Sequence, residues 1–326
     1  MAGQRIEEGL FLEVRGEPQW VTIRGDDREA PAVLVVGGAG AALSRLAPLY
    51  APWEAELVVV QWDQPGAGAT FARNGEPAPY GFDRIAADGV AVAEAVSARL
   101  GGRPLVLMAV SGGTVSGLTM LRARPDLFAA YAGLGQITAW ARQQGLSYAL
   151  ALERARAAAD AAALAQLEAA GPPPWPDMAG DLVLSKYANG FTAREMAALG
   201  AVMAEVGDPP PGASWIAPDL DPVDPRERGA AAYRALRSEL WAFDAADLGT
   251  GFEIPMLLIQ GAEDAYTVTA DVRAWFETIE APWKRFVTVE GAGHGVSFLA
   301  EAVLEALRSL PFMGRERPRG GRGGEV

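Results

Sequence analysis

The chain of 326 residues carries 28 Lys and Arg against 41 Asp and Glu, a formal net charge of −13 with its single histidine neutral. That balance speaks against nucleic acid as a partner, since phosphates require a basic surface, and 50% hydrophobic residues is a globular composition. The absence of cysteine excludes disulfides, thiol chemistry and cysteine-ligated metal. The uncharged apolar run of residues 30–43 is interrupted by Pro31, Gly37, Gly38 and Gly40, so it is too short and too glycine-rich to span a bilayer. The opening MAGQRIEEGL lacks a basic region followed by an apolar stretch, so the expectation is a cytoplasmic protein without a secretory signal. The closing GRERPRGGRGGEV, with Arg315, Arg317, Arg319 and Arg322 among glycines, is expected to be a disordered tail over residues 314–326 because it has nothing to bury.

Along the chain, residues 10–21 alternate enough to predict one or two antiparallel strands, FLEV and WVTI, around Gly16 and Pro18. APAVLVV (30–36) predicts a buried strand ending in Gly-Gly, residues 43–50 a helix, and AELVVVQW (55–62) a second buried strand. Residues 82–100 place Ile85, Val90, Val92, Val96 and Leu100 at roughly helical spacing, with Gly101-Gly102 as the stop. PLVLMAV (104–110) predicts a third buried strand, then a helix through Leu121, and AAYAGLG (129–135) a fourth strand. From Thr138 to about Leu248 the chain reads as helical and alanine-rich, interrupted by GPPPWPD and GDPPPGASWIAPDLDPVDP. The β/α rhythm resumes with IPMLLIQGAED (254–264), a helix to about Glu280, KRFVTVEGAGH (284–294) and a last helix to Leu310. Strands without alternation, separated by helices, predict an α/β fold with a mostly parallel sheet covered on both faces. The division expected is a core of residues 1–136 and 249–313 carrying a helical cap at 137–248.

Three residues draw attention as a group. Ser111 follows a predicted strand and precedes a helix, with Ala109 and Gly113 two positions to either side. A serine on such a turn needs a strained backbone, and small residues at −2 and +2 let strand and helix approach. Taken alone, small-x-Ser-x-Gly also fits a serine near a helix N-cap. His294 is the only histidine, so imidazole acid–base chemistry has no other source in this chain. Asp264 ends the strand in QGAED and is better placed than the competing acids Glu263 and Asp271. The order Ser, Asp, His, each just past a strand, predicts a nucleophile, an orienting acid and a general base in that sequence. The turn VVGGAG (35–40) could aim the N–H of Gly38 or Ala39 at a developing oxyanion, with the N–H of Gly112 as second donor. A dinucleotide cradle would need G-x-G-x-x-G, which is missing.

The chain resembles the α/β-hydrolases of the proline-iminopeptidase-like branch over nearly its whole length. The resemblance rests on VVGGAG, QWDQPGAGATFARNG, the serine turn, RPDLFAAYAGLGQ, LSYALALERA, and QGAEDAYTV through APWKRF to GAGH. It implies the α/β-hydrolase fold, a catalytic triad of Ser111, Asp264 and His294, and a helical cap over the site, whose acidic residues receive a free amine in the aminopeptidase members. This chain departs from the family pattern next to the serine, where Val110 and Gly112 stand for His and Trp. It departs again at Val36 and Ala39 of the glycine turn, at Pro65 after Asp63-Gln64, and at Gln144, where an acid often precedes Ser147-Tyr148. The missing tryptophan predicts a roomier acyl site and a substrate unlike an N-terminal prolyl peptide.

The expectation is a serine hydrolase acting on an ester or amide of a small molecule or short peptide, an esterase or, in the version the resemblance implies, an aminopeptidase removing an N-terminal residue, with no cofactor, no metal and no membrane or nucleic-acid partner. The alternative is a protein of the same fold turned to ligand binding or a non-hydrolytic reaction. Within the cap, Trp175, Tyr187, Trp215, Tyr233, Trp241 and Phe243 are expected mostly as cap core. Glu195, Glu205, Glu239 and Asp244 could bind an amine but are expected mostly as solvated surface.

Overall fold

Val33 and Val35 pack on one face of a sheet, and Leu34 and Val36 on the other. This period of two, with both sets apolar, is what a central strand covered on both faces requires. The computed structural model describes residues 3–188, 191–207 and 225–313. Its eight strands are β1 (Ile6–Val14), β2 (Glu17–Gly25), β3 (Ala32–Val36), β4 (Val58–Trp62), β5 (Leu105–Val110), β6 (Phe128–Leu134), β7 (Met256–Gly261) and β8 (Lys284–Val289). They form one sheet in the order β1-β2-β4-β3-β5-β6-β7-β8. The hairpin β1–β2 and the β2–β4 pair are antiparallel, and every pairing from β4 to β8 is parallel. The mostly parallel α/β sheet expected from the sequence is therefore present.

One face of the sheet buries Leu34, Val60, Leu107, Tyr131 and Leu258 against the helices Phe82–Arg99, Gly113–Ala123 and Thr269–Thr278. The other buries Val35, Val59, Met108, Ala132 and Ile259 against the segment around Tyr50 and Trp53 and the helix Ala300–Leu307. Two boundaries differ from the sequence expectation. The strand expected from residue 55 begins at Val58, because Glu54 and Glu56 belong to a turn closed by Glu56 N donating to Trp53 O at 2.9 Å. Residues 43–50 form a 3₁₀ turn followed by one α turn rather than a single helix. The helix Gly68–Asn74 has no counterpart in the sequence reading, since its glycine at the first position disguises it.

Between β6 and β7 lie the helices Trp140–Ala157, Ala161–Ala170, Met178–Ala188, Ala193–Gly207 and Pro225–Ala242. The two ends of this insertion are fastened together. Ala139 pairs antiparallel with Asp244, Ala245 N donates to Thr138 O at 2.6 Å, and Trp140 N to Phe243 O at 3.2 Å. Trp175 sits in a small core of its own with Tyr148, Leu167 and Leu184, in line with the expectation for that residue. Trp215, most of the proline-rich stretch around it, and the Arg/Gly tail lie outside the described residues. No helix among the described residues is long and apolar enough to cross a membrane.

Candidate active site

The sheet order reverses direction around β3, with β4 on one side and β5 on the other. At such a point the loops leaving two adjacent parallel strands diverge and open a crevice at their C-terminal ends. Val36 at the end of β3 is in register with Ala109 of β5, so the glycine turn after β3 stands beside the serine turn after β5.

Ser111 has φ +52°, a left-handed conformation that a serine seldom adopts. Three hydrogen bonds hold it there. Ser111 N donates to Leu134 O at 2.8 Å, and Ser111 O accepts from Thr114 N at 2.9 Å and Thr114 Oγ1 at 2.6 Å. The small neighbours are needed for steric reasons. A Cβ on Gly113 would lie 2.3 Å from Val36 O, and one on Gly117 would lie 2.7 Å from Ala109 Cβ. The bend is thus the strained strand-to-helix turn expected, rather than an ordinary N-cap serine.

Ser111 Oγ lies 2.8 Å from His294 Nε2, and His294 Nδ1 lies 3.0 Å from Asp264 Oδ2. A carboxylate can only accept, so Nδ1 carries the proton and Nε2 is left to accept from the serine hydroxyl. Asp264 is itself fixed on both oxygens. Oδ1 accepts from Tyr266 N at 2.8 Å and Thr267 N at 3.0 Å, and Oδ2 from Thr267 Oγ1 at 2.6 Å and Gln260 Nε2 at 3.1 Å. Burial acts to raise the Asp264 pKa, but the charge and hydrogen bond of His294, with the bonds from Thr267, outweigh it and hold the carboxyl below its usual value. Glu263 is exposed, and Asp271 binds Thr138 and Arg142 instead, so neither competing acid reaches the histidine.

Gly38 and Gly112 face each other across the two turns. A Cβ on Gly112 would stand 3.4 Å from Gly38 Cα and 4.0 Å from Ala39 N. The glycine turn is braced from β4. Asp63 accepts from Ser44 N at 2.9 Å, Ser44 Oγ at 3.0 Å and Ala69 N at 3.0 Å, and Gln64 Nε2 donates to Gly37 O at 2.9 Å. Burial pushes the Asp63 carboxyl up to about 6, against the backbone bonds from Ser44 and Ala69.

Several residues beside His294 escaped the sequence reading. Gly135, at φ +57°, leaves room where a Cβ would lie 3.0 Å from His294 Cε1. Tyr266 packs edge-on to the imidazole with ring centroids 5.0 Å apart. Glu195, expected on the surface, is fully buried: its Oε1 accepts from Gly293 N at 2.8 Å and its Oε2 from Thr192 N at 2.7 Å. The cause is local. Glu195 closes a capping box with Thr192 at the start of Ala193–Gly207, and that helix start rests on the histidine loop. Thr-x-x-Glu was the available signal. Glu205 is exposed, Glu239 receives Phe82 N at 2.9 Å, and Asp244 caps Ala246 N.

The profile of the Alpha/beta hydrolase family matches residues 32–306. The chain belongs to that family. This hydrolase is 22% identical over 289 residues to the probable aminopeptidase YbaC of Bacillus subtilis (strain 168), covering 87% of this chain and 89% of that protein. It superposes on the proline iminopeptidase-related protein TTHA1809 of Thermus thermophilus with a TM-score of 0.64, at 21% identity over 94% of this chain and 98% of that one. The enol-lactonase of Burkholderia xenovorans LB400 matches with a TM-score of 0.56, at 19% identity over 92% of this chain and 100% of the other. Family and relatives together support hydrolase activity, as the resemblance implied.

Proposed function

We propose that the protein is a serine hydrolase that cleaves an ester or amide through an acyl-enzyme. Ser111 is the nucleophile, His294 the general base and then the general acid, and Asp264 the residue that fixes the imidazole tautomer and stabilises its charged form. The observation that carries this reading is the unbroken line Ser111 Oγ, His294 Nε2, His294 Nδ1, Asp264 Oδ2 at 2.8 and 3.0 Å, with the serine on a strained turn. The N–H groups of Gly112 and of Gly38 or Ala39 receive the oxyanion, supported by the face-to-face approach of the two turns. In this reading His294 takes the Ser111 proton as Oγ attacks the carbonyl carbon, and gives it to the leaving group as the tetrahedral intermediate collapses to the acyl-enzyme. Water then attacks the acyl-enzyme by the same route in reverse.

The substrate is a small molecule or short peptide, and the reading needs no metal or organic cofactor. A cytoplasmic location belongs to the same proposal, supported by a chain that makes no use of an oxidising compartment. A fluorophosphonate probe tests the chemistry. Covalent labelling at Ser111, lost in Ser111→Ala, is expected; folded protein that stays unlabelled would favour the ligand-binding alternative. Removing the serine is expected to lower kcat by about 10⁵–10⁶-fold.

A further inference from the structure

The helix Trp140–Ala157 turns one face toward the residues around His294. The Trp140 ring stands edge-on to Tyr266 at 5.3 Å, and Tyr266 in turn packs on His294. Next along, Gln143 Nε2 donates to Thr267 O at 2.7 Å, and Thr267 Oγ1 lies 3.5 Å from His294 Nδ1. At about 100° per residue, Gln144 and Ser147 fall on this same face, flanked by Gln143 and Tyr148.

Gln144 is 2% and Ser147 0% exposed, yet Gln144 Nε2 and Ser147 Oγ have no hydrogen-bond partner among the described residues. The indole N–H groups of Trp140 and Trp241 are in the same condition. Trp140 N donates to Phe243 O, which brings the end of the helix bearing Trp241 alongside. An indole N–H can only donate, and an amide NH₂ and a hydroxyl donate readily. Buried polar groups in folded proteins are nearly always paired, so a group of such donors beside His294 suits a ligand that brings an acceptor.

The carboxylates of the insertion are differently disposed. Asp181 and Glu195 are the buried ones among its described residues. Asp181 accepts from Tyr233 Oη and Arg237 Nε, each at 2.8 Å, and Glu195 accepts from two backbone N–H groups. The seam between insertion and core therefore has donors to spare, while its buried carboxylates are already taken. Among the described residues, an ammonium group entering it would be desolvated with no free carboxylate to meet it, only the neutral acceptors Gln144 Oε1 and Ser147 Oγ.

We propose that Gln144 and Ser147 bind an oxygen acceptor on an uncharged acyl substrate, such as an amide, ester or lactone carbonyl, and that this hydrolase does not recognise a free amine. The proposal rests on the reading of Ser111 and His294 as a hydrolytic centre. Gln144 and Ser147 stand about 6 and 10 Å beyond Trp140 along the helix axis. In this proposal the acceptor they meet is carried on the acyl chain, apart from the bond that is cut. The recognition element is a specificity device, separate from the groups that move the proton.

Binding calorimetry on Ser111→Ala protein, using the anilides of 4-acetamidobutyric, 4-aminobutyric and hexanoic acids, tests this. The acetamido compound is expected to bind about tenfold more tightly than the hexanoyl compound, and the ammonium compound more weakly than both. Adding Gln144→Leu or Ser147→Ala, each of which deletes an unpartnered polar atom, should bring the acetamido-to-hexanoyl ratio toward one. Adding Gln144→Glu, which supplies a carboxylate, should move the order toward the ammonium compound. The proposal is overturned if the ammonium compound binds best to the Ser111→Ala protein, or if neither Gln144→Leu nor Ser147→Ala changes the ratio. Fluorophosphonate labelling of the unaltered chain separates the two ideas. An unlabelled Ser111 with the acetamido preference intact sinks the hydrolytic reading and upholds the recognition, and a labelled Ser111 without that preference does the opposite.

Discussion

Asp264 receives four hydrogen bonds besides the one from His294, and in Asp264→Asn the amide oxygen can keep those from Tyr266 N and Thr267 N while the NH₂ takes the place of the oxygen that faces His294. Asp264→Asn is expected to lower kcat by about 10³–10⁴-fold with a small change in KM, since the amide can present an N–H to His294 Nδ1 and favour the wrong tautomer. Steady-state kinetics on an activated ester would check it. Because the folded Asp264 pKa is depressed, its contribution to stability is present above the unfolded value of about 3.9 and is lost as pH falls through the folded one. Asp63 has the opposite sign. Its folded pKa of about 6 lies above the unfolded value, so its contribution is complete at low pH and is lost as pH rises toward 6. The stability difference between the native chain and Asp63→Asn should therefore shrink by up to about 1.4 kcal/mol per pH unit between pH 4 and 6, then level off. Urea midpoints at pH 4.5, 6 and 7.5 would read this directly. At this scale the sequence revealed the residue types that matter. A single histidine and an acid at a strand end narrowed the choices to Asp264 over Glu263 and Asp271. Gly135, Tyr266 and Thr267 were not legible, because their importance comes from touching His294, and nothing in their local pattern encodes that contact.

Two elements meet at the histidine loop: the turn after β8 and the first turn of Ala193–Gly207. Glu195 joins them, accepting from Thr192 N on its own helix and from Gly293 N, one residue before His294. Glu195→Ala leaves one buried and one partly buried N–H group without an acceptor and is expected to destabilise the protein by about 1–3 kcal/mol. It should also slow fluorophosphonate labelling of Ser111, a readout that loss of a helix cap elsewhere would not move. Gly135→Ala tests the same loop from the opposite side. Its φ of +57° and the 3.0 Å approach to His294 Cε1 predict a displaced imidazole and lower kcat, seen as a labelling rate reduced more than ligand affinity. Strand positions were readable because uninterrupted apolar runs bounded by Gly or Pro are uncommon outside buried strands. The burial of Glu195 was not, since a glutamate at the third helical position serves equally well on a surface, and only the docking of the insertion decides between them.

Across the whole molecule, one imidazole serves 326 residues, so any histidine signal reports the site alone. In ¹⁵N-histidine-labelled protein a single ring is expected, in the Nδ1–H tautomer at neutral pH, shifting toward the other tautomer in Asp264→Asn. Two tautomers of equal weight in the native chain would contradict the hydrogen-bond assignment. The sheet order was the least legible feature at this scale. Parallel strands were predictable from their composition, but that β3 lies between β4 and β5, bringing Gly38 to Gly112, follows from long-range pairing alone. The insertion leaves the core between neighbouring strands and returns through a seam where residues 138–140 pair with 243–245. Such a narrow neck makes the segment exchangeable. A different set of helices could be spliced in at these positions with every β-strand keeping its partners, provided that acceptors and donors equivalent to Glu195 and Gln143 still hold Gly293 N and Thr267 O, so that substrate choice can diverge among descendants around a conserved loop geometry.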